Sequence, residues 1–218
     1  MALRRKHRHA SVNAQSNGHG KVLVGLGANS PGPWGTPANT LRCALHELTQ
    51  RGVAIEAVSD LYETVAMGAA RQPPYLNQVA LVFTSLPAPA LLRLLKQIES
   101  RAGRRGGRPW GARPLDLDII DYKGLTINWS PGTKDLPRAR VLPLVLPHPQ
   151  LGRRPFVLKP LLDVAPNWRH PVLKLSGREL WYRLPKKGQG SVANRYPEAR
   201  APLALPCQAG VNRLNTVV

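Results

Sequence analysis

Between Lys21 and Tyr122 six segments read, in order, as strand, helix, strand, strand, helix and strand, and this order restricts the fold more than any other feature. Lys21–Gly27 is a compact apolar strand ending in glycine. Thr36 is placed to cap a helix through about Gln50, with Leu41, Ala44, Leu45 and Leu48 on one face, and Gly52 stops it. Val53–Tyr62 reads as a second strand, Glu63–Pro74 as a loop rich in turn residues, and Tyr75–Leu86 as a third strand. Ala88–Ala102 is a second amphipathic helix with Leu91, Leu92, Leu94, Leu95 and Ile98 on its apolar side. Leu115–Tyr122 closes the series. The order matches the ferredoxin-like arrangement, an α+β fold in which an antiparallel sheet carries two helices on one face.

The last strand also carries chemistry. Leu115, Leu117, Ile119 and Ile120 surround Asp116 and Asp118, which project from the same face one pleat apart. Two carboxylates so close repel unless a positive charge lies between them, and a magnesium ion completed by water and phosphate oxygens meets that need. The preceding stretch from Gly103 supplies Arg104, Arg105, Arg108 and Arg113, whose forked guanidiniums match phosphate geometry. Together these features point to a nucleoside triphosphate held for phosphoryl transfer. A half-buried strand with a solvated polar face would give the same alternation, so the pair alone decides nothing.

Composition narrows the partners. The 218 residues carry a formal net charge of +19, which favours polyanions: nucleic acid, anionic membrane surfaces or phosphorylated substrates. Much of the excess lies at the ends, with Arg4, Arg5, Lys6 and Arg8 at the start and many Lys and Arg beyond His170. Residues 1–20 are expected to be a basic disordered tail, residues 21–170 the folded domain, and residues 171–218 a Pro-rich basic extension, partly disordered, with one docked element over Leu173–Leu184. No apolar run approaches the roughly 18 residues of a membrane span, and the basic start lacks the apolar stretch of a secretory signal. Cys43 and Cys207 are far apart and form no C-x-x-C pair, which argues against a disulfide scaffold or zinc site and fits a reducing cytoplasm. Gly25-x-Gly27 has Ser30 where a dinucleotide fingerprint needs its third glycine, and no helix begins there, so a Rossmann reading fails.

Taken together, these stretches resemble the bacterial 6-hydroxymethyl-7,8-dihydropterin pyrophosphokinases of folate biosynthesis. The matching segments run in the family's order over residues 21–170: Val24–Asn29, Tyr62-Glu63-Thr64 with Gly68, Gln72–Asn77, Ile98-Glu99 with Gly103-Arg104, Trp110–Ile119, Leu146–Pro149, Arg154–Pro160, and Asp163 through Pro166. The resemblance implies transfer of the β,γ-diphosphate of ATP to the hydroxymethyl oxygen of the dihydropterin, with release of AMP. It implies two magnesium ions held by Asp116 and Asp118. Arg104 and Arg113 would act with these acids at the reacting phosphates, and Glu99, Arg104, Trp110, Arg113, His148 and Arg154 would bind ATP. Tyr75 and Phe156 would stack on the pterin, with Thr64, Val65 and Asn77 reading its edge. Gly27 and Asn29 would belong to the family's Gly-x-Asn turn. A cytoplasmic monomer or weak dimer without membrane attachment is expected, with nonspecific polyanion binding by the tails.

The chain departs from the family pattern at Ala28, Ala66, Pro109 and Ala112, and its arginine-rich loop from Gly103 to Trp110 is slightly short. These positions touch loop closure rather than a metal ligand or stacking residue. The other reading is a basic nucleic-acid-binding protein on a ferredoxin-like sheet, but no Lys/Arg-Gly-Phe-Gly-Phe-like stretch is present and the aromatic residues fall in loops.

Overall fold

The computed structural model describes residues 20–65, 72–105, 112–129, 144–187 and Val192. Strand β1 (Val22–Ala28) has two unlike faces, because side chains alternate along a strand. Val22, Val24, Leu26 and Ala28 are buried on one side against α1 (Pro37–Gln50) and α2 (Ala88–Arg101). Leu41, Ala44, Leu45 and Leu48 of α1 and Leu91, Leu95 and Ile98 of α2 complete this core. Each leucine buried here contributes roughly 2 kcal/mol of hydrophobic stabilisation. Helix α1 starts where the sequence predicts: the Thr36 hydroxyl accepts the Asn39 N–H at 3.3 Å. It ends before Gly52, whose φ of 76° suits glycine.

The sheet order is β2 (Ala54–Val58), β4 (Tyr75–Phe83), β1, β5 (Asp116–Tyr122), with every pair antiparallel. A short β3 (Tyr62–Thr64) pairs with the other end of β4. This is the ferredoxin-like arrangement expected from the element order, in an α+β fold. The single strand expected over Val53–Tyr62 is divided in two. Ser59 causes the break: its hydroxyl accepts the Val79 N–H at 3.0 Å, a place a strand carbonyl would otherwise fill. The chain rejoins β4 three residues later, so the loop expected from Glu63 begins inside β3. The strand expected to reach Leu86 stops at Phe83, where the Thr84 hydroxyl accepts the Leu86 N–H at 3.1 Å and turns the chain.

The helices are not confined to one face. Helices α3 (Pro155–Val164) and α4 (Gly177–Tyr182) lie on the opposite side of the sheet. There Leu158, Leu161 and Leu180 form a second core with Leu23, Val79, Leu81 and Ile120. Helix α4 falls within the stretch expected as an extension, and a reciprocal cap between Ser176 and Glu179 starts it. Together α3 and α4 pack on the Leu23 end of this face, and Asp163 of α3 accepts the Tyr62 hydroxyl of β3 at 2.7 Å. At the other end β1 presents Gly25 and Gly27, and the sheet stays open.

Cys43 on α1 is disulfide-bonded, which runs against the expectation drawn from the two distant cysteines, and the cysteine argument for a reducing compartment goes with it. No described helix is long and apolar enough to cross a membrane.

His170 packs the chain after α3. Its ring meets the edges of Trp129 and Trp168 at 5.7 and 5.8 Å, and Nδ1 accepts the Val172 and Leu173 N–H groups, each at 3.2 Å. Burial pulls its pKa down from 6.5 to about 4. The unfolded chain therefore takes up this proton first, and stability present above pH 6.5 is lost as the pH falls towards 4. Denaturant titrations across this window should show a loss of roughly 3 kcal/mol that His170→Asn lacks. Equal pH slopes in the two proteins would refute it.

Candidate active site

The open end of the sheet is a cleft of about 630 Å³. Gly25 and Gly27 form its floor. In register, Gly27 lies between Asn77 on β4 and Asp116 on β5, and Gly25 between Val79 and Asp118. A Cβ on Gly27 would come within 3.3 Å of Asn77 Oδ1 and 4.0 Å of Asp116 Cβ, and one on Gly25 within 3.2 Å of Ile120 Cδ1. Any side chain at these positions would occupy the space between the two walls.

The β5 wall is ionic. Asp116 and Asp118 both line the cleft, as the alternation of β5 requires. Arg104 Nη1 donates to Asp116 Oδ1 at 2.6 Å, and Arg113 Nη1 donates to Oδ2 at 3.0 Å. Asp118 faces His148, with Nε2 4.0 Å from Oδ2, and Lys96, with Nζ 3.9 Å from Oδ1. Burial by itself would raise the Asp118 pKa, but the charges of His148, Lys96, Arg154 and Arg104 outweigh it and hold the carboxyl below its ordinary value. Burial lowers the His148 pKa against the pull of Asp118, so the imidazole is neutral at neutral pH. Its Nδ1 accepts the Gln150 N–H at 3.2 Å, an arrangement that assigns the ring proton to Nε2, on the side of Asp118. The His148 N–H donates to Ile120 O at 2.9 Å and ties this loop to β5. Arg154 donates to the Gln150 carboxamide and lies over the Phe156 ring, 5.6 Å from its centroid.

The β4 wall is uncharged. Asn77 Nδ2 donates to Thr64 Oγ1 at 2.8 Å, which leaves the carboxamide oxygen turned over Gly27. Thr64, Tyr75 and Phe156 line the same space, and Val65 stands exposed at its rim. Burial, ahead of smaller opposing charge effects, raises the Tyr75 pKa and keeps the phenol neutral. Asn29, buried at the end of β1, is the junction of the loops around the cleft. Its Oδ1 accepts the Arg113 N–H at 2.7 Å, and its Nδ2 donates to Gln72 Oε1 and Pro73 O, each at 3.3 Å.

Ten of the candidate site residues thus share one cleft: Thr64, Val65, Tyr75, Asn77, Arg113, Asp116, Asp118, His148, Arg154 and Phe156. Glu99 does not line it. It is buried behind β5, where it accepts the Leu117 N–H at 2.7 Å and pairs with Lys96 and Arg104. Burial dominates and raises the Glu99 pKa despite these partners. Arg104 does not line the cleft but bonds Asp116 from behind; burial opposes its charge, but Asp116 and Glu99 raise its pKa overall. Trp110, Arg108, Ala66 and Pro109 lie outside the described residues. Sequence reasoning missed Lys96 and Gln150, which carry no motif. It also read Gly27 as part of a turn, although the Leu23, Gly25, Gly27 alternation marks the bare face of a strand.

The donor set bears on a metal. Among the described residues no group of three or more His, Cys, Asp and Glu is arranged to hold one. Two carboxylates on one face fit a hard cation whose remaining positions are filled by water and phosphate oxygens.

Residues 23–166 match the family model of the 7,8-dihydro-6-hydroxymethylpterin-pyrophosphokinase (HPPK) family. The 2-amino-4-hydroxy-6-hydroxymethyldihydropteridine pyrophosphokinase of Synechocystis is 40% identical over 154 residues, 70% of this chain and 70% of that protein. The protein of the same name from Aquifex aeolicus is 34% identical over 153 residues, 70% of this chain and 85% of its own length. A crystal structure of Plasmodium falciparum HPPK-DHPS superposes with a TM-score of 0.57 at 17% identity, over 78% of this chain. The chain spans 44% of that longer protein, and the likeness shows the fold. By the family match and these relatives, the chain belongs to the 7,8-dihydro-6-hydroxymethylpterin-pyrophosphokinase family.

Proposed function

We propose that the cleft transfers diphosphate from ATP to the hydroxymethyl group of 6-hydroxymethyl-7,8-dihydropterin, releasing AMP, in folate biosynthesis. The observation that carries this reading is the contrast between its walls across a glycine floor. One wall gathers Asp116, Asp118, Arg113, Arg154 and His148; the other offers the amide, hydroxyl and rings of Asn77, Thr64, Tyr75 and Phe156. The names of the Synechocystis and Aquifex relatives support the same reaction.

In this reading a pterin lies between Tyr75 and Phe156, and Asn77 Oδ1 accepts a ring N–H because its amide nitrogen is engaged by Thr64. Arg113 and Arg154 contact the polyphosphate, and Arg104 supports Asp116 from behind. The hydroxymethyl oxygen attacks the β-phosphorus and its proton is lost to solvent, the bond to the α,β-bridging oxygen breaks, and AMP leaves with that oxygen. The residues supply alignment and charge neutralisation, which dominate phosphoryl transfer. Asp116 and Asp118 would hold magnesium, two ions by resemblance, which neutralises the phosphate charge as it shifts. A nucleic-acid-binding reading is not favoured: no Lys/Arg-Gly-Phe-Gly-Phe-like stretch is present in the sequence.

Incubation with magnesium-ATP and the hydroxymethyl-dihydropterin should yield AMP and the pterin diphosphate ester; ADP, or no reaction, would overturn the proposal. Asp116→Ala and Asp118→Ala should each lower kcat by about 100-fold or more while circular dichroism stays native. Activity within a few-fold of wild type in both would remove the metal assignment. Gly27→Val should abolish pterin binding by calorimetry, since its side chain fills the floor; retained affinity would show that the ring sits elsewhere.

A further inference from the structure

Strand β5 is the last strand of the sheet, so alternate backbone groups along its outer side have no strand to bond. Leu117 is such a position, and it lies between the two acids of the ionic wall. Asp116 and Asp118 occupy positions opposite Gly27 and Gly25 of β1, while the N–H and C=O of Leu117 point away from β1. Both are taken by one helix. Glu99 Oε1 accepts the Leu117 N–H at 2.7 Å, and Lys96 Nζ donates to the Leu117 carbonyl at 2.9 Å. The two side chains are one turn apart on α2 and bond each other at 2.7 Å, so they present a donor and an acceptor as a neighbouring strand would. Each also reaches the acid pair: Lys96 comes within 3.9 Å of Asp118, and Glu99 holds Arg104, which grips Asp116.

We infer that Lys96 is a positioning residue for the reaction: with Glu99 it closes the free edge of β5 at Leu117 and fixes how Asp116 and Asp118 are presented to the polyphosphate. The inference rests on the proposed diphosphate transfer for its catalytic consequence but not for the edge closure itself. Lys96 is well placed for this because its ammonium bonds the Leu117 carbonyl and the Glu99 carboxylate and, at longer range, meets Asp118.

The test compares Lys96→Met with Lys96→Arg in the full chain. In Lys96→Met, the magnesium concentration for half-maximal AMP release should rise and kcat fall, each about tenfold, as for other partners that orient a metal ligand. The KM for the pterin should stay within about twofold, and Lys96→Arg should recover most of the loss. Amide hydrogen exchange at Leu117 should quicken about tenfold in Lys96→Met while amides of β4 keep their wild-type rates. Unchanged magnesium dependence and unchanged Leu117 exchange would overturn the assignment, as would faster exchange throughout the sheet. A wild-type protein that makes no AMP, but whose Leu117 amide is released by Lys96→Met, would sink the reaction and uphold the edge closure.

Discussion

A sheet face without side chains at its centre is the constraint on which the rest of this structure depends. Gly25 and Gly27 weaken β1 as a strand, since glycine gives up more backbone freedom than any other residue. The strand holds because Val22, Val24, Leu26 and Ala28 are buried on its other face, and because β4 and β5 pair with it on both sides. Apolar packing on one side thus permits an empty trough on the other. The trough brings the acids of β5 and the carboxamide of β4 to opposite edges of one two-residue gap.

Charge is the second organising term. Asp116 and Asp118 point into the same space, and each is met by cations from different parts of the chain. Arg104 and Arg113 reach Asp116; Lys96 and Arg154, with the neutral His148 imidazole beside them, surround Asp118. These groups come from α2, the loop before β5, and the segment leading into α3. Folding therefore has to assemble all three before the acid pair is neutralised, which couples the site to tertiary structure rather than to one motif. The glutamate behind the strand acts in the same way at one remove, as a buried anchor for two of the cations.

Much of this was legible in the sequence, for identifiable reasons. The two long helices and the strands β1, β4 and β5 follow from period and capping, and Asp116 and Asp118 share a face because a strand alternates. The break at Ser59 was not legible, because a hydroxyl bonding a distant strand leaves no local signature. Helices α3 and α4 covering half of the second face depend on long-range packing of Leu158, Leu161 and Leu180, which a pattern along the chain does not show. Glu99 was read at the nucleotide by resemblance, whereas its position depends on the Leu117 N–H 18 residues further on. Lys96 escaped notice for the same cause: a lysine on an exposed helix face looks solvated until its neighbour in space is known.

The buried Asn29 has a consequence of its own. One short amide clasps the segment entering the uncharged wall and the segment leaving the arginine-rich loop, so both sides of the cleft share a single hinge pin. Movement of either loop must be transmitted through that carboxamide, and the two halves of the pocket are mechanically one part rather than two facing jaws.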